Sequence, residues 1–197
     1  NEEINFINPI HPSNVLNRMP GVFISQGSGQ EHLTSIRSPV LSGGAGAGSF
    51  LYLEDGIPLR SPGFSNVNGL MESNIELSER TEVIRGPGSV LYGSNAVHGL
   101  VNIITEKENA DYNNKLNIRA GRNEIFFNSS TYKELENSDL LFNFLWKEDN
   151  GYTNNYIEQN SDKFDKPHYG QQKFLIRLNT EKNSKNYIFL LSGTNLN

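Results

Sequence analysis

The sequence predicts an α+β domain followed by a series of antiparallel β-strands, and three observations support this fold class. A strand, a glycine-punctuated loop and a second strand follow one another between Arg80 and Thr105. An Asp-Gly pair at positions 55 and 56 lies between two apolar runs, which is a strong sequence signal for a β-hairpin. From Lys115 onward, apolar and polar residues alternate in runs of strand length.

The segment from Arg80 to Thr105 carries the densest pattern in the chain. Its first strand ends at a proline between two glycines, because proline has no N–H for a ladder and glycine adopts angles that other residues avoid. One helical turn follows, and a further glycine ends it. The β-branched run from Leu100 to Thr105 predicts a buried strand. The residues assigned to the loop and turn are Gly86, Pro87, Gly88, Tyr92 and Gly93.

Two glycine-rich stretches have the spacing of nucleotide-binding loops but lack the residues that such loops need. Gly88 to Gly93 has the glycine spacing of a phosphate loop, yet Ser94 and Asn95 stand where Lys and then Ser or Thr are required. The glycines between Ser42 and Ser49 lack the third glycine of a dinucleotide fingerprint. Both stretches are therefore interpreted as structural loops.

Composition and motif content exclude several classes of function. The net charge of −5, without a basic run, does not favour nucleic acid as a partner. The absence of cysteine excludes thiol nucleophiles, disulfides and cysteine metal sites. The four histidines do not have zinc-site spacing, no serine lies in a G-x-S-x-G motif, and no carboxylate pair is suited to acid–base catalysis. We therefore expect no enzymatic activity, no catalytic residue, no metal site and no cofactor.

The runs after Lys115 are compatible with strands that cross an outer membrane. Each is close to the roughly 9–11 residues that a tilted transmembrane strand needs. No stretch of about 18 apolar residues predicts a transmembrane helix. A soluble antiparallel sheet shows the same alternation, so the pattern alone leaves both interpretations open. In the clearest run, one face carries Leu140, Phe142, Phe144 and Trp146.

The connections between these runs alternate in length, and the longest extends from Asp149 to Gly170. Outer-membrane barrels place long loops outside the cell, which predicts an extracellular position for this loop if the strands form a barrel. Its aromatic residues are candidate contacts for a ligand or glycan, although a solvated loop closed by aromatics fits equally well. These residues are Tyr152, Tyr156, Phe164 and Tyr169.

The stretch from Glu79 to Ala96, continued by Gly99 and by Val101 to Thr105, resembles the end of the plug domain of TonB-dependent outer-membrane receptors. The family pattern is approximately E-R-I-E-V-L-R-G-P-x-S-x-L-Y-G-x-x-A-x-G-G-V-I-N-I-I-T. This chain departs from it mildly, at Thr81, His98, Leu100 and Val101. Shorter similarities occur at Pro20-Gly21-Val22, at Ile36-Arg37 with Ser38 in place of glycine, and at the hairpin of Asp55 and Gly56.

The resemblance implies a plug domain over residues 1–108 and about the first five strands of a transmembrane β-barrel over residues 109–197. The predicted fold class is an α+β plug, with a small mixed sheet and short helices, followed by antiparallel strands of an incomplete outer-membrane β-barrel. Five strands cannot close a barrel, because single-chain barrels have at least about 8 strands and plugged transporters have about 22. We therefore expect a truncated product, a fragment or a partial gene of a longer receptor. A TonB-interacting box is not visible in the sequence.

The function implied by the resemblance is energy-coupled import of a scarce ligand, often an iron–siderophore complex. The expected location is the outer membrane of a Gram-negative bacterium. The expected partners are a TonB-type energy-coupling protein of the inner membrane, a small-molecule ligand such as a metal chelate, and outer-membrane lipid. Two other classes remain open: a soluble plug-like module that binds a ligand or glycan without transport, and a hydrolytic enzyme of β-rich fold.

The resemblance also suggests site residues. Arg37 and Arg85 match plug arginines that pair with carboxylates of the barrel wall, since a buried charge needs such a partner. Asp55 is interpreted as a turn former beside Gly56 and not as a catalytic acid. The apical loops at 27–31, 42–49 and 60–66 are candidate ligand contacts. The residues proposed within them are Ser28, Gln30, Ser49 and Arg60.

Overall fold

The chain folds into two units, residues 1–107 and residues 108–197. The computed structural model describes residues 6–7, 9, 11–26, 32–38, 49–59, 69–93, 95–105, 114–122, 124–149, 169–182 and 185–196. Within these ranges, no helix is both long enough and apolar enough to cross a membrane.

The first unit is built on a mixed sheet and short helical turns. Its described elements, in chain order, are α1 (Ser13–Leu16), β1 (Val22–Gln26), β2 (His32–Ile36), β3 (Phe50–Glu54), β4 (Ile57–Pro58), two 3-10 helices (Gly69–Glu72 and Ile75–Leu77), β5 (Arg80–Ile84), α2 (Ser89–Tyr92) and β6 (Gly99–Ile104). β1 and β2 form an antiparallel hairpin of their own. The other strands form a sheet in the order β4-β3-β6-β5, in which β3 and β6 are parallel.

β3 and β6 form the centre of the core because both of their faces are covered. Every residue of these two strands is buried, which is the pattern of a parallel pair inside a fold. On one face, Tyr52 and Ile103 belong to a cluster with Leu16 of α1 and Ile24 of β1. On the other face, Leu100 packs in a smaller cluster with leucines of β3. The apolar runs predicted as strands therefore become the layer on which the first unit is assembled.

The second unit is a five-stranded antiparallel sheet in the order β11-β10-β9-β8-β7. Its strands are β7 (Asn114–Ala120), β8 (Glu124–Leu135), β9 (Ser138–Asp149), β10 (Tyr169–Lys182) and β11 (Lys185–Leu196). Each strand pairs with its neighbour in the chain, so the sheet is a meander. β7 and β11 are edges of this sheet, and the barrel is not closed by the described strands. A mixed sheet with short helices, followed by antiparallel strands, confirms the predicted fold class.

The two faces of the five-stranded sheet differ in polarity and exposure. Along β9, Phe142 and Phe144 lie on the exposed face and are 41% and 37% accessible. The opposite face is buried and mixed, because Leu141, Leu145 and Leu175 share it with many polar side chains. The buried polar side chains of this sheet include Asn128, Ser130, Asn143, Lys147, Lys173 and Arg177.

A close pair of residues joins β10 and β11 on the exposed face. Phe174 and Gly193 are register partners. The ring of Phe174 covers the glycine so closely that a Cβ atom at position 193 would lie 2.7 Å from the Cζ atom of the ring. Glycine is therefore required at this position while the ring stays where it is.

Candidate functional site

The turn between β3 and β4 is formed by Asp55 and Gly56. Both residues have positive φ, +48° and +80°, and they connect Glu54 to its ladder partner Ile57. A two-residue hairpin loop with positive φ at both positions matches the twist of the strands that it joins. The local sequence explains this turn, because Asp-Gly is among the pairs that adopt such angles most readily.

The same turn is tied to the end of β6. Asp55 Oδ1 accepts a hydrogen bond of 2.8 Å from the backbone N–H of Thr105, and Asp55 Oδ2 accepts one of 2.5 Å from the Thr105 hydroxyl. The backbone N–H of Asp55 donates to the carbonyl oxygen of Ile103 at 2.9 Å. The backbone N–H of Gly56 donates to Asn102 Oδ1 at 3.1 Å. The turn therefore holds the end of a strand that is distant in the sequence, since Thr105 lies 50 residues after Asp55.

A second carboxylate at the end of β3 holds a different segment. Glu54 is only 2% exposed, and its two carboxylate oxygens accept hydrogen bonds from the backbone N–H and the side-chain amide of Asn74, at 2.7 and 2.8 Å. A buried carboxylate requires such donors, since desolvation otherwise disfavours its charge. The contact positions the start of the 3-10 helix Ile75–Leu77. Sequence reasoning missed this pair, because no local signal links Glu54 to Asn74.

A cluster of buried polar side chains joins the β1–β2 hairpin to β3. The hydroxyl groups of Tyr52 and Thr34 are 2.5 Å apart. The ring of His32 lies edge-on between those of Tyr52 and His11, with centroid distances of 6.0 and 5.9 Å. His11 Nδ1 accepts a hydrogen bond of 3.0 Å from the backbone N–H of Ser13. Within the described ranges, no group of three or more His, Cys, Asp or Glu side chains is arranged to hold a metal ion.

Burial of Tyr52 makes the stability of the fold depend on pH in the alkaline range. Desolvation, partly opposed by the hydrogen bond with Thr34, raises the pKa of Tyr52 from 10.0 to about 12. The unfolded chain therefore releases this proton before the folded chain does. The contribution of the protonated Tyr52 hydroxyl to the free energy of unfolding is complete below pH 10. It is lost as pH rises from 10 to 12. A difference of two pKa units corresponds to on the order of 2–3 kcal/mol.

We expect the variant Tyr52→Phe to lose less stability between pH 10 and pH 12 than the parent protein does, because its folded state no longer resists an ionisation. Urea denaturation followed by circular dichroism across this pH range measures the effect. Tyr92→Phe is the control, since it changes an exposed tyrosine of the same unit. An alkaline loss of stability that is the same in the parent and in Tyr52→Phe would contradict the assignment.

The two predicted plug arginines both lie beside the turn of Pro20 and Gly21. The backbone N–H of Arg37 donates to the Gly21 carbonyl oxygen at 2.8 Å. The guanidinium of Arg85 donates from Nη1 to the Pro20 carbonyl oxygen, also at 2.8 Å. Ion pairs among the described residues include Arg80 with Glu82 and Arg119 with Glu124, and neither of these two involves Arg37 or Arg85. Pairing of these arginines with barrel carboxylates stays a prediction.

The predicted glycine loop between β5 and β6 closes on itself. The backbone N–H of Gly88 and the hydroxyl of Ser89 both donate to the carbonyl oxygen of Ala96, at 2.8 and 3.1 Å. The helical turn α2 between them presents Val90 and Leu91 to solvent, with exposures of 100% and 81%. The other predicted residues of this loop have the following positions: Gly86 and Gly93 have positive φ, Pro87 is exposed, and Tyr92 is 40% exposed at the end of α2.

The predicted ligand contacts are only partly within the described residues. Ser49 lies directly before β3, and its carbonyl oxygen accepts a hydrogen bond of 2.9 Å from the backbone N–H of His98. This contact brings Ser49 next to the glycine loop. For Tyr169 only the backbone is described, as the first residue of β10. The candidates Ser28, Gln30, Arg60, Tyr152 and Tyr156 lie outside the described residues.

The family model of the TonB-dependent Receptor Plug Domain matches residues 1–100. The chain belongs to this family. The resemblance read from residues 79 to 105 is thereby confirmed, and the first unit contains the plug domain. At His98, where the chain departs from the family pattern, the imidazole ring lies beside the ring of Phe50, with the two centroids 5.8 Å apart.

Solved structures of siderophore receptors are similar to the plug domain and the strands that follow it. The siderophore receptor PirA from Acinetobacter baumannii is 19% identical, with a TM-score of 0.66, over 97% of this chain and 30% of PirA. The ferric yersiniabactin uptake receptor FyuA from Yersinia pestis is 16% identical, with a TM-score of 0.66, over 93% of this chain and 28% of FyuA. The R480A mutant of the ferric enterobactin receptor PfeA from Pseudomonas aeruginosa, in complex with enterobactin, is 20% identical, with a TM-score of 0.65, over 93% of this chain and 30% of PfeA. These likenesses establish the fold, and the chain spans less than a third of each receptor.

Proposed function

We propose that this chain is the plug domain and the first barrel strands of an outer-membrane receptor that imports an iron–siderophore complex with energy from a TonB-type protein. The observation that carries the proposal is the match of the plug family model to residues 1–100. In such a receptor the plug fills the barrel lumen, binds ligand on its outer face and rearranges when the energy-coupling protein pulls its N-terminal segment.

The chemistry of the five-stranded sheet supports a membrane location for the second unit. A soluble antiparallel sheet buries its apolar face and exposes its polar one. Here phenylalanines of β9 and β10 are exposed, while Asn143, Lys147 and Lys173 are buried. Barrel strands of the outer membrane have this arrangement, with apolar side chains toward lipid and polar ones toward the interior. Strands β8 to β11 contain 12–14 residues, enough for the roughly 9–11 that a tilted strand needs.

The proposed ligand class rests on the similar receptors, which are described as receptors for a siderophore, ferric yersiniabactin and ferric enterobactin. Within this proposal, the loops at 27–31, 42–49 and 60–66 and the aromatic residues of the 149–170 loop would contact the ligand. Arg37 and Arg85 would pair with carboxylates of the barrel wall. An isolated buried guanidinium is unfavourable, so such pairing would add a plug–barrel contact to the hydrogen bonds at the turn of Pro20 and Gly21.

Uptake of radiolabelled iron by iron-starved cells tests the proposed function. Cells that lack the gene for this chain are compared with complemented cells, with ferric enterobactin and ferric yersiniabactin as the two probes. We expect complementation to restore uptake of at least one probe, and deletion of the TonB-type protein to abolish the restored uptake. Detergent fractionation of the same cells is expected to recover the protein with the outer membrane.

Recovery of the protein in the soluble fraction would contradict the transport proposal and favour a soluble plug-like binding module. Restored uptake that persists without the TonB-type protein would also contradict it, because the energy coupling would then be absent.

A further inference from the structure

We propose that Asp55 is a positioning residue that clamps the point at which the chain leaves the plug sheet. Thr105 follows the last residue of β6 and is fully buried. Its backbone N–H and its hydroxyl both donate to the one carboxylate of Asp55, at 2.8 and 2.5 Å. The two bonds fix both the backbone and the side chain of Thr105 to the β3–β4 turn.

The clamp is itself anchored to the strand that it holds. The backbone N–H of Asp55 donates to the carbonyl oxygen of Ile103, and that of Gly56 donates to the side chain of Asn102. The turn thus contacts three of the four residues from 102 to 105. The turn is held to β6 by these two bonds. Thr105 therefore cannot move away from the sheet unless its own bonds to the Asp55 carboxylate break.

The turn alone does not explain an aspartate at position 55. Positive φ at both turn positions is satisfied at least as well by Asn or Gly. What aspartate adds is a carboxylate with two acceptor oxygens, and hydrogen bonds to a charged acceptor are stronger than those between neutral groups. The carboxylate of Asp55 is therefore explained by its hydrogen bonds to Thr105 and not by turn formation alone.

The consequence for the receptor rests on the proposed function. The plug must rearrange during transport while the chain continues past Thr105 into the second unit. The clamp keeps Thr105 attached to the β3–β4 turn. A change elsewhere in the plug therefore does not separate the end of β6 from β3. The existence of the clamp can be tested without any transport measurement, so its failure and the failure of the transport proposal are distinguishable.

Hydrogen–deuterium exchange at the Thr105 amide tests the clamp, in protein purified from the membrane of its host. Asp55→Gly keeps the turn angles accessible and removes the carboxylate. We expect the exchange rate of the Thr105 amide to rise about tenfold or more, the factor that a hydrogen bond to a charged group represents. The amide of Val101 in the middle of β6 is expected to change less than about twofold.

Two further variants separate the clamp from turn formation. Asp55→Asn keeps an acceptor for the Thr105 N–H, so its amide exchange is expected to lie between those of the parent and of Asp55→Gly. Thr105→Val removes only the hydroxyl donor, and a smaller rise at the same amide is expected. The two variants together decide the question if Asp55→Gly does not fold.

Unchanged exchange at Thr105 in Asp55→Gly would overturn the proposal. Equal acceleration at Thr105 and Val101 would overturn it as well, because the whole sheet would then have loosened. Identical exchange in Asp55→Asn and Asp55→Gly would do the same, since only asparagine retains the acceptor. If Asp55→Gly is unfolded, exchange at the Thr105 amide that is unchanged in both Asp55→Asn and Thr105→Val would overturn the proposal.

Discussion

Arginine in place of Phe144 is expected to destabilise the second unit in a membrane by about 2–4 kcal/mol, the cost of a cation near the bilayer midplane on a lipid-facing barrel strand. Phe144 lies in the middle of β9 on the exposed apolar face, opposite Phe174 of β10. In a soluble sheet, a charge at a position that is 37% exposed would be tolerated with little loss. Urea-dependent unfolding from lipid vesicles, measured for the protein purified from its host, gives the difference in free energy.

The control for this experiment is Leu135→Arg. Leu135 lies on the same face, at the end of β8 where the chain turns, and is 47% exposed. A charge near the membrane interface costs only about 0–1 kcal/mol. Equal losses at the two positions would mean that the exposed face does not lie in hydrocarbon, and the membrane assignment of the sheet would have to be given up.

Truncation of Ile103 to alanine is expected to lower the free energy of unfolding of the plug domain by about 2–5 kcal/mol. Ile103 is completely buried in the middle of the four-stranded sheet and belongs to the cluster that contains Leu16 and Ile24. The deleted atoms lose their burial, and the cavity remains because β3 and β5 hold β6 on both sides. Denaturant unfolding followed by circular dichroism measures the loss.

Ile57→Ala is the matched control, because the same atoms are deleted from β4 of the same sheet. Ile57 is 55% exposed, so its truncation is expected to change stability by no more than about 0.5 kcal/mol. A loss at Ile57 as large as the loss at Ile103 would show that the core does not lie between the sheet and the α1–hairpin layer.

Local patterns in the sequence were sufficient for the elements of the fold. The alternation after Lys115 predicted the strands of the second unit, because one residue step reverses the face of a strand. The β-branched run from Leu100 predicted β6, and Asp-Gly predicted the β3–β4 turn. The parallel pairing of β3 with β6 could not be predicted, since it joins segments about fifty residues apart and leaves no periodic signal in either.

The candidate site was less predictable for the same reason. The Asp-Gly pair and the resemblance both predicted Asp55 as a turn residue. Thr105, which donates hydrogen bonds to its carboxylate, is distant in the chain, so this contact could not be predicted. Glu54 was not selected, because a carboxylate at the end of an apolar run does not differ from a solvated one until Asn74 is placed beside it. Arg37 and Arg85 were selected from the family pattern, whereas their shared position at the Pro20–Gly21 turn follows from the fold.

The contact between Phe174 and Gly193 fixes the register of the pair formed by β10 and β11. A shift of β11 by one residue would turn its apolar side chains to the opposite face. A shift by two residues would bring Leu191 or Asn195 opposite Phe174, and the added Cβ atom would force the ring out of its present place. Gly193 therefore allows a single alignment of β10 with β11. A strand that pairs with the free edge of β11 would pair with a strand whose register is already determined.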